Sequence, residues 1–252
     1  MHYVTFSLAF LLFAGLQQLC GAFSPWAHAP QVPFYGGETS TSKGTREALK
    51  EAGVIPDVLD DFDPSVSITL AYPNKHKSVN LGNRLKPKAV KSQPVFTIHV
   101  SGIAPTRTTK DNAAYVLVLT DPDATSRTEP VKAQMCHWIA TNITAENISK
   151  DSLGALTSLP SFEIKIGSGG SGIQELMPYF PPAPPPKTGY HRYVFVLLAP
   201  AANDEPSGHL EKPRDRPQWG YGKIGAGVRE WAAENDLIAV GANFFYSRHK
   251  KQ

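Results

Sequence analysis

Two stretches of this chain are apolar at almost every position, Tyr115-Val116-Leu117-Val118-Leu119 and Tyr190 to Leu198. A strand of that composition has no wet side, so each must lie in the middle of a sheet that is covered on both faces. The stretches around them alternate instead. Val66, Ile68, Leu70 and Tyr72 are interleaved with Ser67, Thr69 and Ala71, and Phe96, Ile98, Val100 and Phe162, Ile164, Ile166 repeat the pattern. Period-two alternation marks half-buried strands. Met135 to Thr141 and Ile238 to Tyr246 add two more strand-like segments. Turn clusters separate these segments, drawing on 22 Pro and 20 Gly, with no regular strand–helix alternation. The pattern excludes a doubly wound parallel sheet and predicts a mainly β, largely antiparallel fold with a few peripheral helices.

Helical signals are few. Thr45 to Ala52 is rich in helix formers and is closed by Gly53, and Val228 to Asn235 is the other convincing run. Ile55 to Pro64, with four Asp and two Pro, reads as a solvated connection. Residues 23–44 read mostly as a flexible arm, and residues 45–252 as a single domain. The 252-residue length and 41% hydrophobic content suit one core.

The amino terminus follows a different logic. Residues 1–22 lack Asp, Glu, Lys and Arg, and Val4 to Leu16 is an apolar run of 13. Such a run is too short for a membrane span of about 20 residues but matches a secretory signal. Cleavage is expected after Ala22, behind the small residues of Cys20-Gly21-Ala22. The mature chain would then be secreted, to the exterior or along a vacuolar route, with Cys136 as a lone buried thiol. Asn142 and Asn147 become candidate glycosylation sites, as Asn-Ile-Thr and Asn-Ile-Ser.

Two low-complexity pieces are read as loops. The Gly167–Gly172 run lacks the Lys-Ser/Thr ending and following helix of a phosphate-binding loop. Pro178 to Pro186 holds six Pro in nine residues and precedes an apolar strand, so it is expected to form a rigid rim.

Three segments carry chemistry-bearing side chains at strand ends. Asp121-Pro122-Asp123-Ala124-Thr125-Ser126-Arg127 sets two carboxylates on either side of a stiffening proline. Alone it reads equally as a functional acid pair or as an Asx-type turn with a structural Asp–Arg127 pair. In Met135-Cys136-His137-Trp138, strand alternation places His137 with Met135 and turns Cys136 and Trp138 together to the opposite face. In Gly189-Tyr190-His191-Arg192-Tyr193-Val194-Phe195, His191 and Tyr193 share a face and Arg192 points away.

Taken in this order, the three segments resemble the phosphatidylethanolamine-binding protein family over about Ile55 to Tyr246. Trp219-Gly220, Arg229-Glu230-Trp231 and Gly241-Ala242-Asn243-Phe244-Phe245 resemble its fungal branch, which includes a carboxypeptidase inhibitor. Thr125 stands where the family usually has Pro. The resemblance implies a large antiparallel sheet packed with a smaller sheet and a few helices. It also implies a small anion pocket for a phosphate-bearing headgroup, built from Asp121, Asp123, His137, Pro185, His191 and Tyr193. Imidazoles, a phenol and loop amides can donate to an anion, while two carboxylates oppose it. The expected resolution has one Asp fixing an imidazole tautomer and the other meeting the ammonium of phosphoethanolamine.

The alternative implied by the resemblance is a protein partner: a serine carboxypeptidase or another peptidase, inhibited through surface contacts. An enzyme is not expected. No Gly-x-Ser-x-Gly elbow occurs, so no catalytic residue is assigned. No cofactor or metal is expected either, since His-x-x-x-His and Cys-x-x-Cys spacings are missing. A net charge of +3 is too mild for a nucleic-acid binder, and the short basic tail Arg248-His249-Lys250-Lys251 does not imply stable membrane insertion.

Overall fold

A computed structural model describes residues 40–73, 76–100, 114–144, 162–166, 172–201 and 210–252. The expected signal segment, most of the arm, Asn147 and all but the last residue of the Gly167–Gly172 run lie outside the described residues. In chain order the elements are helices α1 (Ser40–Glu51) and α2 (Val54–Asp57), then strands β1 (Val66–Tyr72), β2 (Lys77–Val79), β3 (Asn83–Arg84), β4 (Val95–Val100) and β5 (Tyr115–Asp121). They continue with β6 (Met135–Ile143), β7 (Phe162–Ile166), β8 (Gln174–Met177), β9 (His191–Pro200), α3 (Val228–Glu234) and β10 (Leu237–Ser247).

The strands form two sheets. The smaller has the order β2-β1-β4-β7 and the larger the order β3-β10-β9-β5-β6-β8. All pairings are antiparallel except β3 with β10, at one edge. The two apolar runs are neighbours at the centre of the larger sheet, β5 pairing with β9 from Val116↔Leu198 to Thr120↔Val194. Their two faces are buried differently. Leu117, Leu119, Tyr193, Phe195 and Leu197 pack with Ile68, Leu70, Tyr72, Phe96 and Ile98 of the smaller sheet. Val116, Val118, Val194, Val196 and Leu198 pack with Leu49, Val54, Val58, Val228 and Trp231 of the helical layer. The larger sheet is therefore the middle of three layers, which is why its central strands have no polar stripe.

Three expectations are corrected. Helix α1 starts at Ser40, ahead of Thr45. The Ile55–Pro64 stretch is not simply solvated: it begins inside α2, and Ile55, Val58 and Leu59 are all buried. Its carboxylates face outward and take basic partners, Asp60 with Arg229, and Asp61 with Arg46 and Lys50. The third correction concerns β6. Leu119 pairs with Trp138 and Thr120 with Cys136, so His137 is an extra residue inserted as a β-bulge. The insertion reverses alternation: Trp138 joins the intersheet core while Cys136 joins the helical-layer core. Cys136 and Trp138 thus point to opposite faces, not to the same one.

Candidate functional site

The polar residues that the sequence singles out collect at one end of the larger sheet, where β5 ends and β6 and β9 begin. Alternation along β9 sends the His191 and Tyr193 rings to the intersheet side, stacked with centroids 6.3 Å apart. Tyr193 also stacks on Phe245 from β10 at 5.3 Å. The bulge in β6 delivers His137 to the same place, with its ring edge-on to Tyr193 at 5.3 Å.

Asp121, the last residue of β5, ties these groups together. One carboxylate oxygen accepts the Asp123 backbone N–H at 2.8 Å, an Asx turn that sets the shape of the loop. The other lies 2.9 Å from His191 Nδ1. The carboxylate therefore selects the His191 tautomer that carries its proton on Nδ1, but the other nitrogen, expected to face the pocket, is taken by Thr188. His191 Nε2 lies 2.8 Å from Thr188 Oγ1, whose hydroxyl also reaches the Pro185 carbonyl at 2.8 Å. Burial, then the charge and hydrogen bonding of Asp121, push the Tyr193 phenol well above its ordinary pKa, so it is a neutral hydroxyl throughout the physiological range.

His137 is held differently. Its Nδ1 donates to the Phe180 carbonyl at 2.6 Å, and the Phe180 amide donates back to the His137 carbonyl at 2.7 Å. Phe180 stacks on the imidazole at 5.4 Å and remains half exposed. Nε2 has no hydrogen-bond partner among the described residues. Burial pulls the His137 pKa below its usual value, with the charge of Asp121 opposing that shift. Arg216 braces this corner. It donates to the Cys136 carbonyl at 3.0 Å and the Pro178 carbonyl at 2.8 Å, and its guanidinium lies 5.2 Å from the Phe180 ring centre.

Asp123 sits beside this group but faces the other side of the sheet. Arg192, which points away from His191 as expected, meets it there. Arg192 Nη2 lies 2.6 Å and Nε 3.0–3.2 Å from the Asp123 oxygens, and the Arg192 backbone N–H donates to Asp123 at 2.7 Å. The remaining arm, Nη1, donates to the Ala52 and Gly53 carbonyls and to Asp57 at 2.7–3.0 Å. Burial opposes the Arg192 charge, but Asp123 and Asp57 outweigh it and raise its pKa. Gly53 is required at this junction: its φ is +68°, and a β-carbon would lie 3.2 Å from Arg192 Nη1.

The structure thus brings Asp121, His137, His191 and Tyr193 together, with Asp123 one layer behind and Pro185 exposed on the rim. Neither an Asp121–Arg127 nor an Asp123–Arg127 ion pair is present among the described residues, and Arg127 reaches the Ala52 carbonyl instead. Asn142 is exposed at the end of β6 and donates to the Gly172 carbonyl. Sequence reading missed Phe180, Thr188, Arg192 and Arg216 as parts of the assembly. The strand pattern gave Arg192 a direction, but nothing local named its partner. Among the described residues, no group of three or more His, Cys, Asp or Glu side chains could hold a metal, and no helix is long and apolar enough to cross a membrane. Cys136 is a free buried thiol with its pKa pushed up by burial to about 12, so it is not a ready nucleophile.

Known proteins resemble this chain in sequence and in fold. The sequence model for phosphatidylethanolamine-binding protein matches residues 75–245. The carboxypeptidase Y inhibitor of Saccharomyces cerevisiae is 32% identical over 213 residues, covering 81% of this chain and 94% of the relative. A crystal structure of carboxypeptidase Y inhibitor complexed with its cognate proteinase superposes with a TM-score of 0.70 at 30% identity, over 84% of this chain and 98% of that one. A phosphatidylethanolamine-binding protein from Plasmodium vivax shares the fold, with a TM-score of 0.60 at 24% identity over 81% of this chain and 97% of that one.

Proposed function

This chain belongs to the phosphatidylethanolamine-binding protein family, and on that premise we propose that it is a non-enzymatic inhibitor of a serine carboxypeptidase, acting through protein–protein contacts. The observation that carries the reading is the near end-to-end likeness to carboxypeptidase Y inhibitor, in sequence and in the conformation that relative has beside its proteinase. A buried, protonated thiol and carboxylates engaged by His191 and Arg192 leave no activated nucleophile in the candidate site. An inhibitor needs none. It needs a rigid body that presents a surface, and the three packed layers provide one.

The test is titration of the purified full chain against carboxypeptidase Y with a chromogenic peptide substrate. Activity is expected to fall in proportion to added protein and to end near one equivalent. Undiminished peptidase activity at a tenfold excess would reject the proposal.

A specific observation favours a second, compatible reading, in which the Asp121–His137–His191–Tyr193 cluster is a pocket for a phosphate-bearing headgroup. That observation is His137, whose Nδ1 is committed to a carbonyl while Nε2 is uncommitted beside two aromatic rings. Asp123 does not fit the expected role of ammonium partner, because both its oxygens are occupied by Arg192. Asp121 is the carboxylate that faces the site. Calorimetry with inorganic phosphate and phosphoethanolamine is expected to give saturable binding that is lost in His137→Ala. Equal binding by parent and variant would place the anion elsewhere.

A further inference from the structure

The polar atoms around His137 do not balance as an anion site should. Asp121 is an acceptor, and the two N–H donors nearest it, from Asp123 and His191, are already spent on it. Burial, with the Asp121 charge, keeps the Tyr193 phenol a neutral hydroxyl beside the same carboxylate. The two nitrogens of His191 are occupied by Asp121 and Thr188. Asp123 is turned away onto Arg192, and Pro185 has no side-chain donor. On this face Ser247 Oγ, across the β9–β10 pair from His191, has no partner among the described residues, but Ser247 is fully buried. Of the four imidazole nitrogens in the pocket, His137 Nε2 is left as the one uncommitted position.

That position is a lone pair in the resting protein. A ring nitrogen 2.6 Å from a carbonyl oxygen must carry the hydrogen, so the neutral His137 tautomer holds its proton on Nδ1 and leaves Nε2 bare. An anion arriving there meets an acceptor, with the Asp121 carboxylate close behind. The other groups facing His137 are the Phe180 ring and carbonyl, Tyr193, His191 and Arg216. Arg216 is spent mainly on the Cys136 and Pro178 carbonyls.

We propose that this site accepts an anion only together with a proton taken up from solvent at His137 Nε2. The imidazolium then donates through both nitrogens, to Phe180 and to the anion, and its positive charge offsets Asp121. His191 becomes a positioning residue, locked between Asp121 and Thr188, rather than a ligand contact. The fall in His137 basicity on burial agrees with this: the proton is absent until the anion brings a reason to hold it. The inference rests on the anion-pocket reading and gives that site a direction: it fills as pH falls.

The deciding experiment uses the full chain and two anions, sulfate, which does not titrate near neutrality, and inorganic phosphate. Calorimetry in buffers of different ionisation heat counts the protons exchanged. Between about pH 8 and 6.5, sulfate affinity is expected to rise close to tenfold per pH unit, with about one proton taken up per anion. In His137→Gln the affinity is expected to be lower and flat with pH. As a safeguard against a misfolded variant, ring-nitrogen NMR of the parent is expected to show His137 Nε2 becoming protonated as sulfate is added. Sulfate binding that ignores pH overturns the proposal, as does binding of phosphate without sulfate, which would put the proton on the ligand. Either result leaves the anion pocket standing. Binding of neither anion at any pH removes the pocket and the proposal together.

Discussion

Replacing Arg192 with Met is expected to destabilise the domain by about 3–5 kcal/mol, the cost of leaving a buried carboxylate without its partner. That is a large share of the roughly 5–15 kcal/mol that holds a typical domain folded. The side chains of Arg192 and Asp123 are only 3% and 1% exposed, so water cannot replace the lost guanidinium. The damage would spread along three chain segments, because Arg192 joins β9 to the loop after β5 and to the α1–α2 junction. The Asp57 contact counts for less, since that carboxylate is half exposed and screened by solvent. Adding Asp123→Asn to the Met variant should restore part of the loss: it removes the stranded charge and keeps an oxygen for the Arg192 backbone N–H. Urea unfolding of parent, single and double variants measures both effects. A loss below about 1 kcal/mol in Arg192→Met would show that the pair is replaceable.

The same residue shows what the sequence could disclose and what it could not. Strand periodicity predicts that Arg192 leaves the face of His191 and Tyr193, and it does. It cannot predict that an acid 69 positions earlier waits there, nor that this acid pairs with Arg192 rather than with Arg127. The apolar composition of β5 and β9 reveals their central place, because composition is a property of each strand alone. The His137 bulge leaves no such trace. Residues 136–141 are buried at every position, so an inserted residue disturbs no polar alternation. Strands β2, β3 and β8 were also unread: each is two to four residues long, too short for a period to appear. Edge strands this short owe their conformation to the neighbour they pair with. The site was therefore legible as a set of residues and a set of faces. The hydrogen bonds that assign each residue its task come from chain segments far apart in sequence.

The second large effect is expected at Trp219, which lies outside the anion cluster but holds its scaffold. Its ring is 2% exposed, packs 5.6 Å from Trp231 and donates through Nε1 to Thr120 Oγ1 at 3.2 Å. Thr120 immediately precedes Asp121 and also meets the Gln134 side chain and the Met135 carbonyl. Gln134 in turn bonds the Gly225 carbonyl and the Val228 amide, fastening the loop before α3 to the start of β6. Trp219 is thus the apolar weight on a polar joint that sets where β5 ends. Trp219→Ala should cost about 3–5 kcal/mol, from lost burial and an unfilled cavity. Trp219→Phe keeps most of the packing and deletes the indole N–H, so its cost should be nearer 1 kcal/mol. The consequence for the site separates the two variants further. The alanine variant should show broadened His137 and His191 ring signals even at temperatures where it remains folded, because Asp121 loses its fixed neighbour. The phenylalanine variant should keep them sharp. Sharp ring signals in a folded alanine variant would mean that Asp121 is positioned by its own Asx turn alone, and that Trp219 serves only the helical-layer core.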